Sequence, residues 1–94
     1  MEQLEKLSER ILSLLIYEEQ FETIINELRD EKAAYVADEL KMLIVKDYIR
    51  PCRDIVNDVR SGFLYDSDQL DNYSFTLTGK GLAYLEHVNR NNQN

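Results

Sequence analysis

His87 is the only histidine in the chain and Cys52 the only cysteine, so they cannot supply the four ligands of a zinc site. Cys52 follows Pro51 and has no Cys-x-x-Cys partner; it reads as a small, half-buried thiol without redox work to do. His87 falls close to the C-terminal tail, a place that suits capping or solvent exposure better than general-base chemistry. The run Asp66-Ser67-Asp68-Gln69-Leu70-Asp71 begins like a calcium loop, but Leu70 stands where the third ligand belongs and no glycine follows. A solvated loop explains it. Gly79-Lys80-Gly81 could offer free N–H groups to an anion at a helix start. Its spacing is neither that of a P-loop nor that of a dinucleotide fingerprint, so a helix start in close contact with a strand is the better reading. No constellation for catalysis emerges, and no cofactor is expected.

The elements that carry these residues follow from apolar spacing. Leu4, Leu7, Ile11, Leu14 and Leu15 recur at helical intervals and predict a first helix from Glu2 to Tyr17. Phe21, Ile24, Ile25 and Leu28 predict a second, ending near Asp30, and Val36, Ala37, Leu40, Leu43 and Ile44 a third, over 33–46. The period then changes. Tyr48 to Pro51 reads as a short strand whose proline suits an edge, and Tyr73, Phe75 and Leu77 alternate with polar residues as in a half-buried strand. Between them, 52–72 is a long connection; Ile55, Val56 and Val59 suit a helical turn and Phe63 to Tyr65 further strand. Thr78 is placed to cap a fourth helix running from Gly79 to about Asn89, with Leu77 and Leu82 as a hydrophobic staple and Leu82, Leu85 and Val88 as its buried stripe. A single domain over 1–89 with a disordered polar tail at 90–94 is expected. One competing arrangement exists: Leu7, Leu14, Phe21 and Leu28 lie seven apart, so the first two helices could form one coiled-coil rod.

The segment Val36 to Ile49, a helix running through Asp47 into Tyr48-Ile49, and the segment Tyr73-Ser74-Phe75-Thr76-Leu77-Thr78-Gly79-Lys80-Gly81-Leu82-Ala83-Tyr84-Leu85 together resemble the winged helix-turn-helix superfamily of small bacterial regulators. The resemblance covers about Glu9 to Val88. It implies an α+β fold with three N-terminal helices, a small antiparallel wing sheet and a C-terminal helix. Asp47 stands where the family often has glycine, and Asp tolerates the left-handed conformation needed there. The turn before the third helix lacks the family's frequent glycine.

If that fold is adopted, the third helix is where major-groove contacts would be made. At 100° per residue, its outward side carries Ala34, Tyr35, Asp38, Lys41, Met42 and Val45. Bases are read by Arg, Lys, Asn and Gln, and only Lys41 qualifies. Net charge is −7, which repels nucleic acid at long range. Residues 1–31 hold nine acids against three bases, 32–72 eight against six, and 73–94 one against two. The DNA-binding alternative therefore rests on Lys41 with Arg50, Arg53 and Arg60, and Asp54 and Asp58 beside them favour an ion-paired surface. Six tyrosines are present; Tyr48 and Tyr73 suit the core, whereas Tyr35 shares the outward face with Met42 and Val45, a grouping typical of protein interfaces.

The expectation is a non-enzymatic binding module whose face Tyr35, Asp38, Met42 and Val45 meets a partner protein or a second copy of the chain, with helix one as a further pairing surface. No metal is expected. No apolar run approaches the roughly 20 residues of a membrane span, the acidic start is unlike a targeting segment, and a lone cysteine needs no oxidising compartment; a cytoplasmic location is expected.

Overall fold

The computed structural model describes residues 3–52 and 69–91. In chain order it contains α1 (Lys6–Leu14), β1 (Glu19–Gln20), α2 (Phe21–Glu27), α3 (Ala33–Val45), β2 (Ile49–Cys52), a 3-10 turn at Leu70–Asn72, β3 (Ser74–Leu77) and α4 (Gly79–Asn91). The described residues form a small α+β domain of four helices and one antiparallel sheet of strand order β1-β3-β2. Arg53, Arg60, Asp66, Asp68 and most of the 52–72 connection lie outside the described residues.

The apolar spacing built the helices, though not always over the predicted span. α1 is shorter than Glu2 to Tyr17 at both ends. Before it, the Leu4 N–H donates to the Tyr84 hydroxyl, 2.8 Å away, so that amide serves a tertiary bond. After it, the Leu15 carbonyl accepts from the Leu77 N–H at 3.3 Å, which joins the helix end to the sheet. The buried face comprises Ser8, Ile11, Leu12 and Leu15, with Leu7 and Leu14 only partly covered.

β1 is a strand the sequence did not announce. Glu19 pairs with Phe75 and Gln20 with Ser74, and the Phe21 N–H donates to the Tyr73 carbonyl at 3.3 Å. Two polar residues cannot display a period of two, so no pattern marks them. The strand also separates α1 from α2, which overturns the continuous coiled-coil rod.

α2 and α3 are joined by a tight turn in which the Glu31 N–H donates to the Leu28 carbonyl at 2.9 Å. Among the described residues Asp47 is the one non-glycine residue with positive φ. The α2–α3 turn therefore has no left-handed position for a glycine to fill. Val36, Leu40 and Leu43 of α3 are fully buried, each stabilising the core by about 1.5–3 kcal/mol relative to exposure.

α3 stops where Asp47 takes φ 67°. The Tyr48 N–H bonds the Leu43 carbonyl at 2.9 Å and the Asp47 N–H bonds the Ile44 carbonyl at 3.0 Å, the paired bonds of a Schellman stop. The chain then enters β2, at the edge of the sheet among the described residues, which holds Pro51 opposite Phe75. β3, the central strand, is buried at Ser74 and Phe75 and half-buried at Thr76 and Leu77, so its polar positions do not all face water.

Thr78 caps α4 as predicted: its hydroxyl accepts from the Gly81 N–H at 3.1 Å and donates to the Asp47 carbonyl at 2.5 Å. The helix continues through Arg90 to Asn91, two residues past its expected end. Its inner face differs from the expected stripe. Gly81, Tyr84 and Leu85 are buried and Val88 is half-buried, while Leu82 is 46% exposed. Gly81 explains the rotation: a Cβ there would overlap the Tyr48 carbonyl oxygen, whereas one at Gly79 would meet nothing. A stripe centred on Leu82 would turn this close backbone contact away from the sheet.

Candidate functional site

The outward side of α3 is built by its own inner side. With Val36, Leu40 and Leu43 anchored in the core, helical spacing sends Ala34, Asp38 and Val45 to the opposite side. All three are exposed, Val45 at 84%. Tyr35 is 56% exposed, and the Lys32 ammonium stands 5.7 Å from its ring centroid. Met42 departs from the expected position, being half-buried and packed against the core cluster. Lys41 is half-buried too.

Beside this face runs the segment leading into α1. The Ser8 hydroxyl donates to a Glu39 carboxylate oxygen at 2.5 Å, which fixes α1 against α3 and holds the Glu39 charge in place. Two open grooves lie along the junction. One, of about 490 Å³, has Leu7 and Tyr35 for apolar walls with Glu5, Glu31, Asp38 and Glu39 around them. The other, of about 350 Å³, reaches Met42 and Lys46. Both include Glu5 and Glu39, so the two grooves adjoin at these carboxylates, and together they are called the trough along α3. Of the four expected interaction residues, Tyr35, Asp38 and Met42 line this trough and Val45 stands beyond its rim. Glu5, Leu7, Glu31 and Glu39 join them only through the pairing of α1 with α3, a tertiary fact with no local sequence signal.

The residues expected for DNA are less gathered. Lys41 is on α3 and Arg50 is exposed on β2, opposite Thr76; Arg53 and Arg60 are outside the described residues. The acids Asp38 and Glu39 sit between Tyr35 and Lys41 on the same helix. Exposed Asp38, one turn before half-buried Lys41, repels phosphate on this side.

Other polar groups have structural work. The Arg10 guanidinium makes two bonds to Asp30, at 2.8 and 3.0 Å; that contact raises the arginine pKa and lowers the carboxyl. Burial pushes the Cys52 thiol above its ordinary value, Glu18 adds to this and Arg50 opposes it, which makes a thiolate nucleophile harder to form. The Ser74 hydroxyl donates to Glu18. His87 lies on the exposed side of α4. Among the described residues no three His, Cys, Asp or Glu side chains are grouped as metal ligands, and no helix is long and apolar enough to cross a membrane.

Compared with known proteins, the chain matches no family model, no curated protein and no solved structure. Its function must be read from the geometry of the α3 face and the trough beside it.

Proposed function

We propose that this chain is a winged helix-turn-helix module that binds a protein surface through α3, with Tyr35, Asp38, Met42 and Val45 as the contact residues. The winged-helix reading is supported by the tight α2–α3 turn followed by an antiparallel β2–β3 pair. The strand β1 lies between the first two helices and pairs with β3 on the side away from β2. The observation that carries the protein-binding reading is the chemistry of the exposed face: large apolar groups at Tyr35 and Val45 with Asp38 between them. Burying such groups against another protein is favourable, whereas phosphates gain nothing from them. The same face and the site chemistry give no support to an enzyme, and a cytoplasmic setting fits a module that keeps a free thiol.

Two measurements test the reading. A photoreactive side chain placed at Val45 is expected to form discrete protein adducts in cells that express the chain, and the same group at Glu86, exposed on α4, is expected to form none of them. Random duplex DNA is expected to bind weakly at every salt concentration. A clear affinity that falls steeply with added salt, without protein adducts at Val45, would transfer the function to the DNA-binding alternative through Lys41 and Arg50.

A further inference from the structure

We infer that the trough between the Gln3–Leu7 segment and α3 receives a lysine- or arginine-bearing amphipathic helix from a different protein. The inference rests on the protein-binding reading and adds the chemical class of the partner.

The shape comes first. From Tyr35 at one end of the trough to Lys46 at the other is about 16 Å along the α3 axis, at 1.5 Å per residue. That is the length of roughly three helical turns. Leu7 and Tyr35 give one groove its apolar walls and Met42 gives the other an apolar contact, with Glu5 and Glu39 shared between the two; Leu7 and Met42 are partly covered and Tyr35 is exposed. A helix with apolar residues at i, i+4, i+7 and i+11 presents a stripe of about that length.

Charge then selects among helices. Glu5, Glu31, Asp38 and Glu39 line the trough against Lys6 and Lys46. Glu39 is tethered by Ser8, so its charge cannot swing away. Lys46 offers its backbone carbonyl to the Lys80 ammonium at 2.8 Å, at the far end from Glu31. The acid excess is thus concentrated at the Tyr35 end. The Lys32 ammonium already stands over the Tyr35 ring, so an arriving Lys or Arg is drawn there by the Glu31 and Asp38 carboxylates rather than by that ring.

A second copy of the chain is the poorer occupant. Each copy carries −7, and a two-fold pairing of this face would bring two acidic rims together, an arrangement that costs free energy.

The test uses the full chain, isotope-labelled for backbone amide resonances, and two synthetic helical peptides of about 14 residues, roughly four turns. Both have the same apolar stripe; one has lysines flanking it and the other glutamates. The lysine peptide is expected to perturb Glu5, Leu7, Tyr35, Asp38 and Met42, and its affinity to fall about tenfold or more between low and high salt. The charge-reversed double variant Glu31→Lys with Asp38→Lys is expected to lose about tenfold for the lysine peptide and to gain affinity for the glutamate peptide. Tyr35→Ala, which alters no charge, is expected to weaken the lysine peptide while leaving its salt dependence in place. Equal affinity for the two peptides, perturbations on another face, or no binding of the lysine peptide would each overturn the inference. Binding of the glutamate peptide in the trough would remove the charge class yet leave α3 a protein-binding face, and the Val45 adducts report on that face separately.

Discussion

Gly81 lies so close to the backbone before β2 that a methyl group in its place has no room. The sequence places glycines at 79 and 81 and suggests a helix start against a strand, but not which of the two makes the contact. The structure separates them, and a pair of substitutions measures the difference. Gly81→Ala is expected to lower the unfolding free energy by about 1–3 kcal/mol, the usual cost of forcing atoms into a filled site. Gly79→Ala, with open space around it, is expected to leave stability within about 0.5 kcal/mol or raise it slightly, because it trims unfolded-state entropy. Urea denaturation of both variants is the measurement; equal effects would mean the α4–Tyr48 approach is not under constraint. Single residues were legible in proportion to how local their role is. The Thr78 bond to Gly81 and the left-handed Asp47 are local and legible in the sequence, whereas the bond between Thr78 and Asp47 spans 31 residues and is not. Leu82 was assigned inward from spacing alone, which cannot tell where a stripe is centred; the backbone contact at Gly81 decides that.

Elements were legible where their period could repeat. α2, α3, β2 and β3 fall within a residue or a few of their predicted spans, because several apolar positions vote for each. β1 has two polar residues and exists through its pairing with β3, so local sequence carries no trace of it. The trough was hidden for the same reason, since α1 and α3 meet across a sequence separation of 31 at Ser8 and Glu39. The end of α3 is the place where an element depends most on one residue. The carbonyls just past it are served from the start of α4: Thr78 donates to Asp47 and Lys80 to Lys46, the latter placing a positive charge at the negative end of the helix. All of this requires Asp47 at φ 67°. Asp47→Gly is expected to be at least as stable as the parent, whereas Asp47→Val is expected to lose about 1–2 kcal/mol through left-handed strain of a branched side chain. Thermal denaturation followed by circular dichroism distinguishes them. A Val variant as stable as the Gly variant would show that the α3 stop tolerates a different conformation.

At the scale of the molecule, Tyr84 closes the chain on itself. Its hydroxyl accepts from the Leu4 N–H at 2.8 Å and donates to a Glu9 carboxylate oxygen at 2.7 Å, and its ring packs edge-on against Tyr48 with centroids 5.7 Å apart. One side chain thereby joins the N-terminal segment, α1, α4 and the start of the sheet, at 2% exposure. Burial raises its pKa above the ordinary tyrosine value, and the bond to Glu9 raises it further. The unfolded tyrosine, with pKa near 10, therefore releases its proton before the folded one does. Stability contributed by the neutral hydroxyl is fully present below about pH 10 and is lost as pH rises through the folded pKa. Other tyrosines and lysines also titrate there and add to a charge that is already −7, so the parent curve alone does not isolate Tyr84. The comparison with Tyr84→Phe does. At pH 7 the variant is expected to be less stable by about 1–3 kcal/mol, since it leaves the Leu4 N–H and Glu9 without their partner. Above pH 10 its remaining stability is expected to fall less steeply than the parent's, so that urea midpoints measured from pH 8 to 11 converge. Parallel curves would mean that the hydroxyl ionises equally easily in both states, and coincident curves at pH 7 that its two bonds do not hold the N-terminal segment onto α4.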